Sequence, residues 1–212
     1  EEMYVTESTV HRDIDKLENN LGEFDLKIRI KHDRFYVDGD EWSIRKALHS
    51  YITQNPTIRS EEGLEGFFTK GDVEKCREAI DRLSQKYHHQ FSDDYSWLLL
   101  TECLVFKKRT DQNNYLTKRT SNLINDLNHL EVYFFSGELL ENIIDKPFSE
   151  ISPYEIEAMA YSLLAYGFSI QSADYIQNIE EQVNELIEKV SSLLSLDLTK
   201  DKHLKLMLSN HI

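Results

Sequence analysis

The 212-residue chain is 40% hydrophobic and 29% charged, a balance that builds a globular core and excludes a disordered polymer. Its formal net charge of −14 excludes a protein that coats nucleic acid with its whole surface, yet leaves room for a small cationic element on an acidic body. With only 7 Gly and 3 Pro, the composition favours helices over a loop-rich β fold.

The first predicted helix runs from about Thr6 to Asn20. Val10, Ile14, Leu17 and Leu21 form one apolar stripe of helical period, and Thr6 or Ser8 is a suitable N-cap. Gly22 closes this helix. Residues Phe24 to Ile30 then alternate apolar and polar side chains, as a half-buried strand does, and His32-Asp33-Arg34 turns into a returning strand at Phe35-Tyr36-Val37. Four of the eight residues from Lys27 to Arg34 are basic. A helix containing Trp42, Ile44, Ala47 and Tyr51 follows. Helix, hairpin, helix is the order of a winged helix-turn-helix and its next element.

Residues 53–69 hold Asn55-Pro56 and glycines without steady period, and read as a linker. Beyond it the pattern is helical. Val73, Cys76, Ile80, Leu83 and Tyr87 make one stripe, and Ser92 caps a strongly apolar helix that reaches about Phe106. Leu123, Ile124, Leu127 and Leu130 suggest a further helix, and Leu139, Leu140, Ile143 and Ile144 another. Ser152-Pro153-Tyr154-Glu155 has the form of a capping box with proline at the first helical position, opening a helix to about Tyr166. Ile176, Ile179, Val183, Leu186, Val190 and Leu193 step by three and four, a seam that suits packing in a bundle or a coiled-coil contact. Thr199 is read as the cap of a last stretch.

The fold expected is mainly α: a partial winged helix-turn-helix with a short β-hairpin, then an all-α bundle. The expected division is 1–52 for the winged element and following helix, 53–69 for the linker, 70–172 for the bundle, and 173–212 for the start of a second helical segment.

No enzyme is indicated. His11-Arg12-Asp13 copies a kinase tripeptide, but no glycine-rich phosphate loop accompanies it. His88 and His89 near Asp93 and Asp94 lack metal-ligand spacing and read as a solvated surface. No catalytic residue, metal site or cofactor is expected. No apolar run approaches the roughly 20 residues that span a bilayer, and Glu1 and Glu2 stand where a secretory leader is basic. Cys76 and Cys103 lie inside helical apolar patterns, as buried hydrophobes of a reducing compartment do. A cytoplasmic location without membrane insertion is expected.

The residues that do point to a function are at the start. A DNA-reading helix needs short hydroxylated residues at its N-terminus, long polar side chains on one face and an apolar stripe on the other. Thr6, Ser8 and Thr9 supply the first, and His11, Arg12 and Lys16 the second. Lys31 and Arg34 are the expected phosphate contacts of the wing. Double-stranded DNA is therefore the expected partner, read by a homodimer. The alternative is a protein-interaction or dimerisation module that binds no DNA itself, which the acidic charge and the Ile176–Leu193 seam favour.

The segment Met3 to Leu17, with Val37-Asp38-Gly39-Asp40-Glu41-Trp42-Ser43-Ile44-Arg45 after the hairpin, resembles bacterial sugar-operon regulators that carry phosphotransferase regulation domains: the BglG, LicR and MtlR group, with Mga-type virulence regulators as relatives. The resemblance implies a DNA-binding transcription activator of sugar-utilisation or virulence genes. It also implies control by the sugar phosphotransferase system, with the phosphocarrier HPr and sugar permease components as partners. It places Glu102 where the first regulatory histidine of the family falls, and the second near Ser162, so neither is present in the first bundle. Glu102 would there supply a fixed negative charge or pack beside Cys103. The segment Asp197 to Ile212 is similar to the opening of a second such domain, with His211 on the matching histidine as the phosphorylation candidate. Only Glu1 to Val5 precede Thr6, and the last residues continue a helical pattern, so the chain is expected to be a piece of a longer regulator.

Overall fold

The computed structural model describes residues 7–32, 34–121, 124, 127–168, 173–194, 196–201, 204, 205 and 208, with the side chains of 7, 8, 11, 61 and 173–182 left out. Helix α1, Glu7–Gly22, leads into strands β1, Lys27–Lys31, and β2, Arg34–Asp38. Between them Phe24 and Leu26 donate their backbone N–H groups to the Leu21 carbonyl, at 3.0 and 3.1 Å, and Asp25 takes a left-handed conformation with φ of 57°. The predicted strand thus begins three residues later than Phe24. Its first residues are spent on closing the helix, and Leu26 turns inward.

Helix α2, Glu41–Gln54, starts two residues after β2, and its N-cap Asp40 accepts a bond from the Ser43 N–H at 3.1 Å. Gly39 is required in that short link, because a Cβ there would collide with the Leu26 side chain. Residues 53–69 contain one short helix, α3, Glu61–Glu65, but Ile58, Leu64 and Phe68 are buried in the same core as the bundle.

The bundle is built from α4, Lys70–Lys86, α5, Asp93–Asp111, α6, Glu131–Ile144, and α7, Pro153–Ala165. The stripe Val73, Cys76, Ile80 and Leu83 faces the core, as its spacing requires. Ser92 caps α5, whose middle, Leu99 to Phe106, is buried all round. Helix α6 packs on α4, α5 and α7, while α2 lies along α5. Phe148 closes over α6 at Gly137, where any Cβ would run into its ring. Both cysteines are buried and unbridged. Burial pushes the Cys76 thiol up to about 12 and raises that of Cys103 well above its ordinary value.

Three local expectations are corrected. Apolar spacing suggested a helix from Leu123 to Leu130, but Ile124 lies outside any helix and Leu127–His129 is a single 3-10 turn before α6. The Ile124 N–H is satisfied by the Tyr161 hydroxyl of α7 at 3.3 Å, a tertiary partner replacing a helical one. Glu155 does not complete a capping box. Ser152 does cap α7, accepting from the Tyr154 N–H, but the Glu155 carboxylate turns into the core. Near the C-terminus it is Asp201, not Thr199, that accepts from a helical N–H, that of Leu204 at 3.0 Å, while Thr199 bonds Asp197.

Helix α8, Ala173–Leu194, buries Val183 and Ile187 and turns Leu186 and Leu193 outward, the latter 83% exposed. The seam is thus covered at Val183 and uncovered at Leu186 and Leu193, while the side chains of Ile176 and Ile179 lie outside the described residues. Among the described residues no helix is long and apolar enough to cross a membrane.

Candidate nucleic-acid interface

Helix α1 places Arg12 and Lys16 one turn apart on one face, and both are exposed. Thr9 is half-buried on the same helix. Ser8 and His11 also lie on α1, but their side chains, like Thr6 and His211 as a whole, fall outside the described residues. The apolar stripe faces the other way, Val10, Ile14 and Leu21 being partly covered and Leu17 exposed.

The hairpin register gives the wing two unlike faces. Lys27 pairs with Asp38, Arg29 with Tyr36 and Lys31 with Arg34, and side chains directly opposite share a face. One face therefore carries four cations, a tyrosine and a single acid. Asp38 is engaged by Arg29, whose Nε donates to Oδ2 at 3.2 Å. Lys31 and Arg34 stand opposite each other at the tip, both exposed. Two like charges so placed repel, and an anion bound between them relieves the repulsion. The other face consists of Ile28, Ile30, Phe35 and Val37. Ile30 is 69% and Phe35 52% exposed, so this apolar face is largely uncovered. Lys27 and Arg29 were not singled out individually from the sequence, although their i, i+2 spacing with Lys31 already puts all three on one face of a strand.

Helix α2 joins this surface to the bundle through residues that local pattern did not mark. Glu41, Arg45 and His49 recur every fourth residue, so they line one face. The Arg45 side chain is fully buried. It donates to both carboxylate oxygens of Glu155, at 3.0 Å from Nη2 to Oε1, to the Asn114 carbonyl at 2.9 Å and to Glu41 at 3.0 Å. Its guanidinium also lies 4.4 Å from the centre of the Phe106 ring. Glu155 takes the Leu116 N–H at 2.7 Å, and Glu41 is held by Arg109 of α5 at 2.7 and 2.9 Å. Every charge here has a partner, as burial demands.

One turn further on, the His49 Nε2 is 3.1 Å from the Leu98 carbonyl and 3.4 Å from Glu102. Glu102 is 5% exposed and accepts from the Ser162 hydroxyl at 3.1 Å and the Tyr166 hydroxyl at 3.2 Å. Burial, then the Glu102 carboxylate, raise the Tyr166 phenol well above its ordinary value, which keeps it protonated and donating. Positions 102 and 162, assigned only through the family resemblance, are thus hydrogen-bonded neighbours across α5 and α7.

His89 is half-buried rather than part of a solvated surface. Its ring packs against Phe91 and Phe168, at 4.4 and 4.7 Å between centres, and burial lowers its pKa. Among the described residues no group of His, Cys, Asp or Glu could hold a metal ion.

Neither a curated protein nor a solved structure matches the chain. Residues 1–51 match the family described as the Mga helix-turn-helix domain, a span that ends within α2 and supports a Mga-like helix-turn-helix regulator.

Proposed function

We propose that this chain is the DNA-reading and signal-receiving part of a transcription regulator, with α1 in the major groove and the hairpin tip on the phosphate backbone. The observation that carries the reading is the exposed pair Arg12 and Lys16 on α1, within the span matched by the helix-turn-helix family and beside a hairpin with one cationic face. Thr6, Ser8, Thr9 and His11 belong to the same proposed contact surface, with Lys31 and Arg34 as the wing's phosphate ligands. A homodimer would set two recognition helices on half-sites about one helical turn apart.

The finer reading is an activator of sugar-utilisation or virulence genes, working in the cytoplasm. It is governed by phosphotransferase proteins through the bundle of residues 70–172 and the segment 173–212, where His211 would accept the phosphoryl group. Its support is the family resemblance.

The test is selection of binding sites from random duplex DNA, followed by titration of the recovered duplex with the chain and its variants. Arg12→Ala and Lys16→Ala each weaken binding about tenfold, the ~1–3 kcal/mol expected of a base or phosphate contact. Unchanged affinity in both removes α1 from the interface. The uncovered apolar face of the hairpin favours a second reading, docking of a protein partner, which gains ground if selection enriches no sequence.

A further inference from the structure

Two residues, Gly39 and Asp40, separate β2 from α2, so a change in the direction of α2 carries the hairpin with it. On the buried face of α2, beside the apolar Ile52 and Trp42, polar contacts meet the bundle. These contacts are of two kinds. At Arg45 a permanent cation meets the Glu155 carboxylate, and opposite charges compensate each other's loss of water. At Glu102 the carboxylate is also buried, but its contacts are a hydroxyl, a phenol and an imidazole. No Lys or Arg side chain contacts it among the described residues.

A buried carboxylate held this way is a poor source of stability, since its desolvation offsets much of what its hydrogen bonds return. What it does provide is direction. Its two oxygens accept from Ser162 and Tyr166 at one end of α7, and one of them lies 3.4 Å from the His49 Nε2 of α2, which also reaches the Leu98 carbonyl at 3.1 Å. His49 also stacks on Tyr166, with 6.2 Å between ring centres, and Tyr166 on Tyr95 of α5, so the cluster has little slack.

We infer that Glu102 is a positioning residue, whose carboxylate holds the Ser162 and Tyr166 hydroxyls at the end of α7, stands against the His49 ring of α2 and thereby fixes the orientation of α2, and of the hairpin it bears, on the bundle. The consequence for DNA rests on the reading proposed above. The orientation itself does not.

Distances between spin labels test it in the full 212-residue chain. One pair, Lys46→Cys and Glu78→Cys, spans α2 and α4, and a control pair, Glu78→Cys and Glu131→Cys, spans α4 and α6; all three sites are exposed. With Glu102 intact, the α2–α4 pair gives one narrow distance distribution. Glu102→Leu adds a second population of roughly a tenth or more to that pair and leaves the control pair unchanged. Glu102→Gln, which keeps one accepting oxygen, shows a smaller effect. Should Glu102→Leu fail to fold, Ser162→Ala with Tyr166→Phe withdraws two donors while leaving the carboxylate in place, and again broadens only the α2–α4 distances. A single unaltered distribution in the folded variants, or equal broadening in both pairs, overturns the inference. The measurement contains no DNA, so failure of the DNA-reading proposal leaves it intact.

Discussion

Arg45 shows how much one side chain can be asked to hold. Its guanidinium contacts α2, α5, α7 and the segment after α5 through Glu41, Phe106, Glu155 and Asn114. Arg45→Met keeps the apolar stem and removes the charge, leaving Glu155 buried without its cation, and is expected to cost about 3–5 kcal/mol of stability in urea unfolding. Arg45→Met combined with Glu155→Gln should recover part of this loss, because the amide oxygen still accepts the Leu116 N–H without a charge to desolvate. A single variant within about 1 kcal/mol of the parent, the usual scale of exposed pairs, shows the pair to be dispensable. Glycine at 137 carries a different demand. Gly137→Ala pushes into the Phe148 ring and is expected to cost about 1–3 kcal/mol as an overpacked site, whereas Gly137→Ala with Phe148→Leu costs less than the sum of the two single changes.

Among the elements, those with a strong local signal are legible in the sequence. The stripes of α1 and α4, the Ser92 cap of α5 and the Ser152-Pro153 start of α7 each rest on interactions within one helix or its first turn. Apolar spacing marks only the second half of helix α6. Leu130 occupies its N-cap position with no side-chain bond, so nothing in the sequence announces the start at Glu131. Glu155 departs from its local signal for the opposite reason. Ser-Pro-Tyr-Glu satisfies the capping rule, and the competing partner, Arg45, lies 110 residues away. Likewise Glu41, Arg45 and His49 look like an ordinary solvated face until the bundle is set against them. In the candidate interface the order of charges was readable, but the pairing of Lys31 with Arg34 needed the hairpin register. The Asp40 cap can be tested alone. Asp40→Ala removes the acceptor for the Ser43 N–H and should lower stability by about 1 kcal/mol, and Asp40→Ser should restore most of it.

For the whole molecule the charge imbalance decides how DNA can be approached. A body of formal charge −14 is repelled by the duplex at long range, so the proposed association rests on the few cations of α1 and the hairpin. Affinity should fall as salt rises, with a log–log slope near −0.9 for each phosphate neutralised. Lys31→Ala and Arg34→Ala should each make that slope shallower by about one unit, without altering which sequence is preferred. A slope indifferent to both changes would take the hairpin tip off the backbone.

The sealed cysteines carry a consequence of their own. Only a thiolate attacks an alkylating reagent, and Cys76 and Cys103 are held protonated and out of reach in α4 and α5. The rate at which iodoacetamide consumes them is therefore a clock for bundle opening, counting excursions of those two helices rather than fraying at the surface.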